Sequence, residues 1–261
     1  MLFSNISKIG VKVLSFYEKK CIMECTIFRR NAMKISGLQK TTLLDFPGKV
    51  ACTVFLSGCN FRCPFCQNGE ILDIAEGEIP EKEFFDFLEK RKGILDGVCV
   101  SGGEPLLQAN TEEFIRKIKS LGYAVKLDTN GSFPEKLKSL VLEGLVDFVA
   151  MDIKNSRAKY ERTAGVHCDF SKIEESIAFL LSGKVEYEFR TTAVKEFHKT
   201  EDFIDIGKRI KGAKRYFLQN FKDSEFVLQK GLTPFSDDEL QTFKRILKPF
   251  VPSVLIRGEN G

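Results

Sequence analysis

From residue 50 onward, short apolar runs alternate with longer stretches in which apolar residues recur every three or four positions. The short runs cover residues 50–56, 98–100, 124–127, 146–151, 185–191 and 215–218. They are rich in Val, Phe or Ile and run out into Gly, Asp, Asn or Ser, which is the pattern of buried strands. The stretches between them read as helices. Asn110 with Glu113 precedes Phe114, Ile118 and Leu121 on one face. Ser171 with Glu174 forms a capping box ahead of Ile173, Ile177, Leu180 and Leu181, and Ser236 with Glu239 does the same ahead of Leu240, Phe243 and Leu247. Phe84, Phe87 and Leu88 mark a further helix, and Phe203, Ile206 and Ile210 another. These stripes are core-facing surfaces and carry no chemistry.

Six strand–helix units in strict alternation require a parallel sheet, because parallel neighbours are joined by crossover connections. A closed barrel takes eight such units. Six predict an α/β fold built as an incomplete, open-sided (β/α)6 barrel of the TIM type, with a flat doubly wound sheet as the alternative. In both, the active site lies where strands run out into loops. The unusual residues of this chain sit at those ends.

The composition fits one large domain: 261 residues, 43% hydrophobic and 29% charged. A net charge of +4 is spread among acidic residues rather than clustered, which argues against nucleic-acid binding. No apolar run approaches the ~20 residues that span a bilayer, and no cleavable signal is evident. Eight cysteines in such a chain point to free thiolates in a reducing, cytoplasmic setting rather than to a disulfide framework. Residues 1–32 lack a clear period and read as an N-terminal extension, with Met33 as the candidate true start and 33–261 as the folded domain. Cys21 and Cys25 in that extension are incidental.

The first strand runs into Ser57-Gly58-Cys59-Asn60-Phe61-Arg62-Cys63-Pro64-Phe65-Cys66, three thiols spaced C-x3-C-x2-C. A cubane iron–sulfur cluster is normally held by four thiolates, so three leave one iron open to an exchangeable ligand. The competing reading is a zinc knuckle, but structural zinc wants a fourth ligand, and His167-Cys168 is the one remote pair on offer. Cys52 and Cys99 fall inside strands and read as small core residues. The gap from Cys66 to Val98 is too short for a second cluster domain, so one cluster is expected.

Other strand ends carry polar groups. Ser101-Gly102-Gly103-Glu104-Pro105 combines close backbone approach with an anion, although such a turn is common. Asp128-Thr129-Asn130-Gly131 is either a plain turn or part of a site, and Asp152 either caps a helix or faces the same pocket. Carboxylates on adjacent strand ends suit ribose hydroxyls or a cation. Arg190, in an otherwise apolar strand, needs a partner: a ligand carboxylate, or Asp152 or Glu188. His167 and His198 read as surface or structural residues without partners.

The cysteine spacing, with aromatic Phe65 before the last cysteine, resembles the signature of the radical S-adenosylmethionine (SAM) superfamily, from about Met33 to the C-terminus. Asp45-Phe46-Pro47-Gly48 resembles an element of glycyl-radical-enzyme activases, and residues 37–68 are most similar to activating proteins of anaerobic ribonucleoside-triphosphate reductase. The resemblance implies a [4Fe–4S] cluster on Cys59, Cys63 and Cys66, with SAM on the open iron. It implies that Gly102, Gly103 and Glu104 bind the cofactor's ammonium group, that Arg190 binds its carboxylate, and that Phe65 belongs to the cofactor site. Asp128, Thr129, the Met151 carbonyl and Asp152 would hold a monovalent cation. An adenine contact would lie within 219–221, and Gln67 stands where many relatives have His. The implied reaction is reductive cleavage of SAM to a 5′-deoxyadenosyl radical, which makes a glycyl radical on the reductase. A flavodoxin or ferredoxin-type protein would supply the electron. Alternatives are activation of pyruvate formate-lyase or another glycyl radical enzyme, a small-molecule substrate, or a zinc-binding or electron-transfer module with no chemistry of its own.

Overall fold

The computed structural model describes residues 32–74 and 77–258. The expectations for residues 1–31, with Cys21 and Cys25, lie outside the described residues. Every element below belongs to one unit, Lys34–Gly261; the other unit is Met1–Met33.

The runs predicted as strands pair side by side in chain order. They are β2 (Ala51–Leu56), β3 (Gly97–Gly102), β4 (Ala124–Thr129), β5 (Phe148–Asp152), β6 (Glu186–Ala193) and β7 (Arg215–Asn220), all parallel. Two more strands flank them. β1 (Ile35–Thr42) runs antiparallel along β2, and β8 (Ser253–Ile256) runs parallel along β7. They are the two ends of an eight-stranded sheet ordered β1 to β8, so the barrel is unclosed. Neither shows the run of buried residues that marks a central strand: β1 is mostly half-buried or exposed, and β8 buries Val254 alone.

Seven helices fill the connections: α1 (Glu81–Lys90), α2 (Thr111–Ser120), α3 (Pro134–Leu142), α4 (Tyr160–Ala164), α5 (Phe170–Leu181), α6 (Thr200–Arg209) and α7 (Asp237–Leu247). Their apolar stripes pack as the periodicity requires, with Phe84 stacked on Phe114 and Phe203 on Phe243 at ring distances of 5.3 and 4.3 Å. At α7 the box is formed: Glu239 Oε2 accepts from Ser236 N at 2.7 Å, and Ser236 Oγ accepts from Glu239 N at 3.3 Å. At α5 the cap falls two residues earlier than expected. Asp169 Oδ1 accepts from Ser171 N at 3.0 Å, which leaves Ser171 inside the first turn.

The Asp45–Gly48 element lies at the end of the sheet away from the cysteine loop. Phe46, 2% exposed, packs on Ala51 and Phe148, and its ring leaves no room for a side chain at Gly97. Asp45 Oδ2 accepts from Thr53 Oγ1 at 2.7 Å. Its role in this fold is to plug the barrel bottom.

Candidate functional site

Leaving β2, the cysteine loop is held by main-chain hydrogen bonds from four other segments. Gly58 N and Cys59 N donate to Ile71 O and Leu72 O, each at 2.8 Å. Gly103 N and Glu104 N, at the end of β3, donate to Leu56 O at 2.9 Å and Gly58 O at 2.8 Å. Arg62 N donates to Ala164 O at 2.8 Å, and Gln229 N donates to Pro64 O at 2.9 Å. The Arg62 guanidinium adds a staple inside the loop, Nη1 donating to Cys59 O at 2.6 Å and Phe61 O at 2.9 Å. Such cross-bracing fixes an irregular segment that has no ladder of its own.

The loop presents Cys59, Cys63 and Cys66 to one open cleft over the strand ends. Burial pushes their thiols up, Cys59 to about 12 and Cys63 to about 11, with Cys66 also raised. As thiolates they are poor guests in this site unless a cation joins them.

Gly102 and Gly103 line the cleft, but the cause of their lacking side chains is the chain itself. A Cβ on Gly102 would stand 2.2 Å from Leu56 O, and one on Gly103 would stand 2.1 Å from Gly58 O. Glu104 is fully buried and not among the residues lining the cleft. Its Oε1 accepts from Leu106 N and Thr129 Oγ1 at 3.1 and 2.9 Å, and its Oε2 from Asn130 N at 2.7 Å. Burial outweighs these bonds and raises its carboxyl to about 7. An acid raised above its unfolded value, about 4.3, subtracts stability as pH climbs from there to the folded value. Between pH 4.5 and 7.5, metal-free protein is therefore expected to lose stability relative to Glu104→Gln. Urea midpoints across that range check this, and a constant difference would contradict it.

Below the cleft, inward-facing residues of β4, β5 and β6 form a charge network. Asp152 Oδ1 accepts from Arg190 Nε at 2.5 Å and its Oδ2 from Lys154 Nζ at 2.9 Å. Asp128 pairs with Lys126 Nζ, with Arg190 Nη2 at 3.3 Å, and accepts from Ser101 Oγ at 3.0 Å. Burial alone would raise both carboxyls; Arg190 first, then Lys126 at Asp128 and Lys154 at Asp152, hold them below the usual range. Arg190 thus has the structural partner Asp152, and Asp128 as well. Three cations of the chain face the two carboxylates. Met151 is fully buried, its thioether filling the space beneath Gly131.

Lys126 and Lys154 were not singled out in the sequence. A lysine inside the run 124–127 was a signal, as costly there as Arg190 in its strand. Lys154 lines the cleft beside the thiols, and its amine is raised by Asp152 and then Cys63 despite burial.

Phe65 lines the cleft and packs edge-on against Phe197 and His198. Gln67 donates to Lys222 O at 2.9 Å. Of residues 219–221, none lines the cleft; Asn220 brackets the Phe235 main chain and Phe221 is buried. His198 is not a partnerless residue. It is 1% exposed, its Nδ1 accepts from Val194 N at 3.2 Å, and its Nε2 donates to Lys154 O at 2.8 Å, bracing the strand end. His167 is exposed and pairs with Glu161 at 2.6 Å. Cys52 and Cys99 are fully buried. Among the described residues, no three His, Cys, Asp or Glu side chains converge on one metal ion.

The radical SAM superfamily pattern matches residues 53–207. A Methanocaldococcus jannaschii protein named "Putative glycyl-radical enzyme activating enzyme MJ1227" is 34% identical over 87% of this chain and 97% of its own length. The pyruvate formate-lyase-activating enzyme of Listeria monocytogenes is 34% identical over 46% of this chain and 53% of that enzyme. The crystal structure of Streptococcus suis SuiB bound to precursor peptide SuiA aligns with a TM-score of 0.63 at 13% identity, over 78% of this chain and 48% of SuiB, a likeness of fold. The superfamily uses a [4Fe–4S] cluster and SAM. Three thiols on one braced loop, lining one cleft, fit that pair. The chain belongs to the radical SAM superfamily and, within it, to the glycyl-radical enzyme activating enzymes.

Proposed function

We propose that this chain generates a glycyl radical on a partner enzyme, and that the partner is an anaerobic ribonucleoside-triphosphate reductase. The observation that carries the first part is the near full-length match to the M. jannaschii protein. The second part rests on the resemblance of residues 37–68 to activating proteins of that reductase. The zinc-binding and electron-transfer module alternative falls away with the family.

When bound, the cluster and SAM supply one-electron cleavage of a sulfonium and a 5′-deoxyadenosyl radical able to take a hydrogen atom from a glycine Cα. Cys59, Cys63 and Cys66 hold the cluster. The main chain at Gly102 and Gly103 receives the ammonium group, with Glu104 behind it; a cation there pulls the raised carboxyl back to its charged form. Lys154 and Arg190, at the floor of the cleft, orient the carboxylate of the cofactor. Asp128 and Asp152 keep those cations in place, Thr129 holds Glu104 through its hydroxyl, and Phe65 shields the cleft wall. The gap between β1 and β8 leaves the barrel open along one side, where a loop of the partner can enter. A flavodoxin or ferredoxin-type protein would supply the electron, in the cytoplasm.

A second reading is activation of pyruvate formate-lyase, favoured by the Listeria relative. Anaerobically reconstituted protein with SAM and dithionite, mixed with each candidate, decides. A doublet EPR signal on the reductase is the expected result. A doublet on pyruvate formate-lyase alone transfers the proposal to that partner, and cofactor cleavage without any doublet rejects activation.

A further inference from the structure

The short helix α4 ends against the cysteine loop. Gly165, just past its last residue, has φ +72°, and a Cβ there would stand 1.9 Å from the carbonyl oxygen of Arg62 and 2.6 Å from its carbonyl carbon. The contact is main chain against main chain, so no side-chain rotation relieves it. Arg62 N also donates to Ala164 O at 2.8 Å, which ties the two segments at the same point.

Neither side is free to yield. Asn155 Nδ2, fully buried, donates to Thr163 Oγ1 at 2.8 Å and to Phe197 O at 2.9 Å, and Thr163 Oγ1 donates to Lys159 O at 2.9 Å. Tyr160 wedges edge-on between Phe61 of the loop and Phe170, at 6.4 and 4.9 Å. On the loop side, the Arg62 guanidinium is committed to Cys59 O and Phe61 O.

We propose that α4 with Gly165 is a buttress that sets where the Arg62–Cys63 peptide lies, and so where the Cys63 thiol stands relative to Cys59 and Cys66. Gly165 is a positioning residue, acting on the cluster through Cys63. The proposal rests on the assignment of the cluster to these three cysteines.

The test compares Gly165→Ala with Gly183→Ala, which carries the same left-handed strain (φ +73°) with nothing within 4 Å of its Cβ. Full-length variants are reconstituted with iron and sulfide, challenged with a chelator, and titrated for reduction potential by EPR. Gly165→Ala should lose iron roughly tenfold faster than wild type, as a lost supporting contact at a metal site typically does, and shift the potential of the iron it keeps. Gly183→Ala should match wild type in both, whatever its thermal midpoint. Thr163→Val, which loosens α4 without touching the loop, should release iron faster than wild type, and it serves if Gly165→Ala does not fold. Wild-type retention and potential in Gly165→Ala, or in Thr163→Val if that variant alone folds, overturns the buttress. A wild-type protein that binds no cluster, or a Cys63→Ala variant that binds it unchanged, overturns the cluster assignment instead.

Discussion

Cys63→Ala will bring cofactor cleavage down by more than about 100-fold, while Cys52→Ala will keep it near wild type. Outer-shell partners of a metal site already cost 10–100-fold when lost, and the proposed function makes Cys63 a ligand, the most buried of the three at 6% exposure. Its loss would leave two thiols for a cluster proposed to take three from this chain, and among the described residues no other Cys or His lines the cleft. Cys59→Ala and Cys66→Ala should fail in the same way. Cys52 is fully buried inside β2 and does not line the cleft, so it acts as a small apolar residue of the core. Its truncation should cost about 1 kcal/mol of stability by leaving a small cavity. Iron content and 5′-deoxyadenosine release under dithionite measure the contrast. Equal losses in the two variants would remove the division between ligand and core cysteines.

The central strands were legible where burial on both faces leaves a continuous apolar run, as in β3 and β5, whereas β7 buries only Tyr216 and Leu218 and shows as a short run of Tyr, Phe and Leu. The flanking strands were not. Ile35–Thr42 has only its first and last residues buried and carries two register shifts against β2, so neither a run nor an alternation survives in the residues. The cleft-lining groups were legible where the chain places an odd residue at a strand end: the cysteines, Gly102, Gly103, Asp128, Asp152 and Arg190. What the chain hides is how those residues are supported. Arg190 shows a need for a partner, but only register across β5 and β6, which sets Asp152 beside Arg190, supplies it. Gly165 shows nothing at all beyond a helix end, since the carbonyl it makes room for is about a hundred residues earlier. Glycines chosen for contact with distant backbone look the same as glycines chosen for a turn.

Arg190→Met should destabilise the protein by about 3 kcal/mol at pH 7, the cost of stranding buried charge rather than of losing an attractive pair. Its guanidinium faces both Asp152 and Asp128, and the two carboxylates would be left with Lys154 and Lys126 alone. Both carboxyls are held below the usual range in the folded chain. Such groups contribute stability above the unfolded value, about 3.9, and lose it as pH falls through the lower folded value. In the variant the folded values rise, so protonation comes sooner and removes a charge that has become a burden. The deficit against wild type should therefore be full near neutrality and shrink below about pH 4. Urea denaturation of metal-free protein at pH 7 and at pH 3.5 reads this directly. The same variant should also cleave the cofactor poorly when reconstituted, because one of the two cations at the cleft floor is gone. A deficit of equal size at both pH values would assign the loss to packing of the arginine stem and not to its charge.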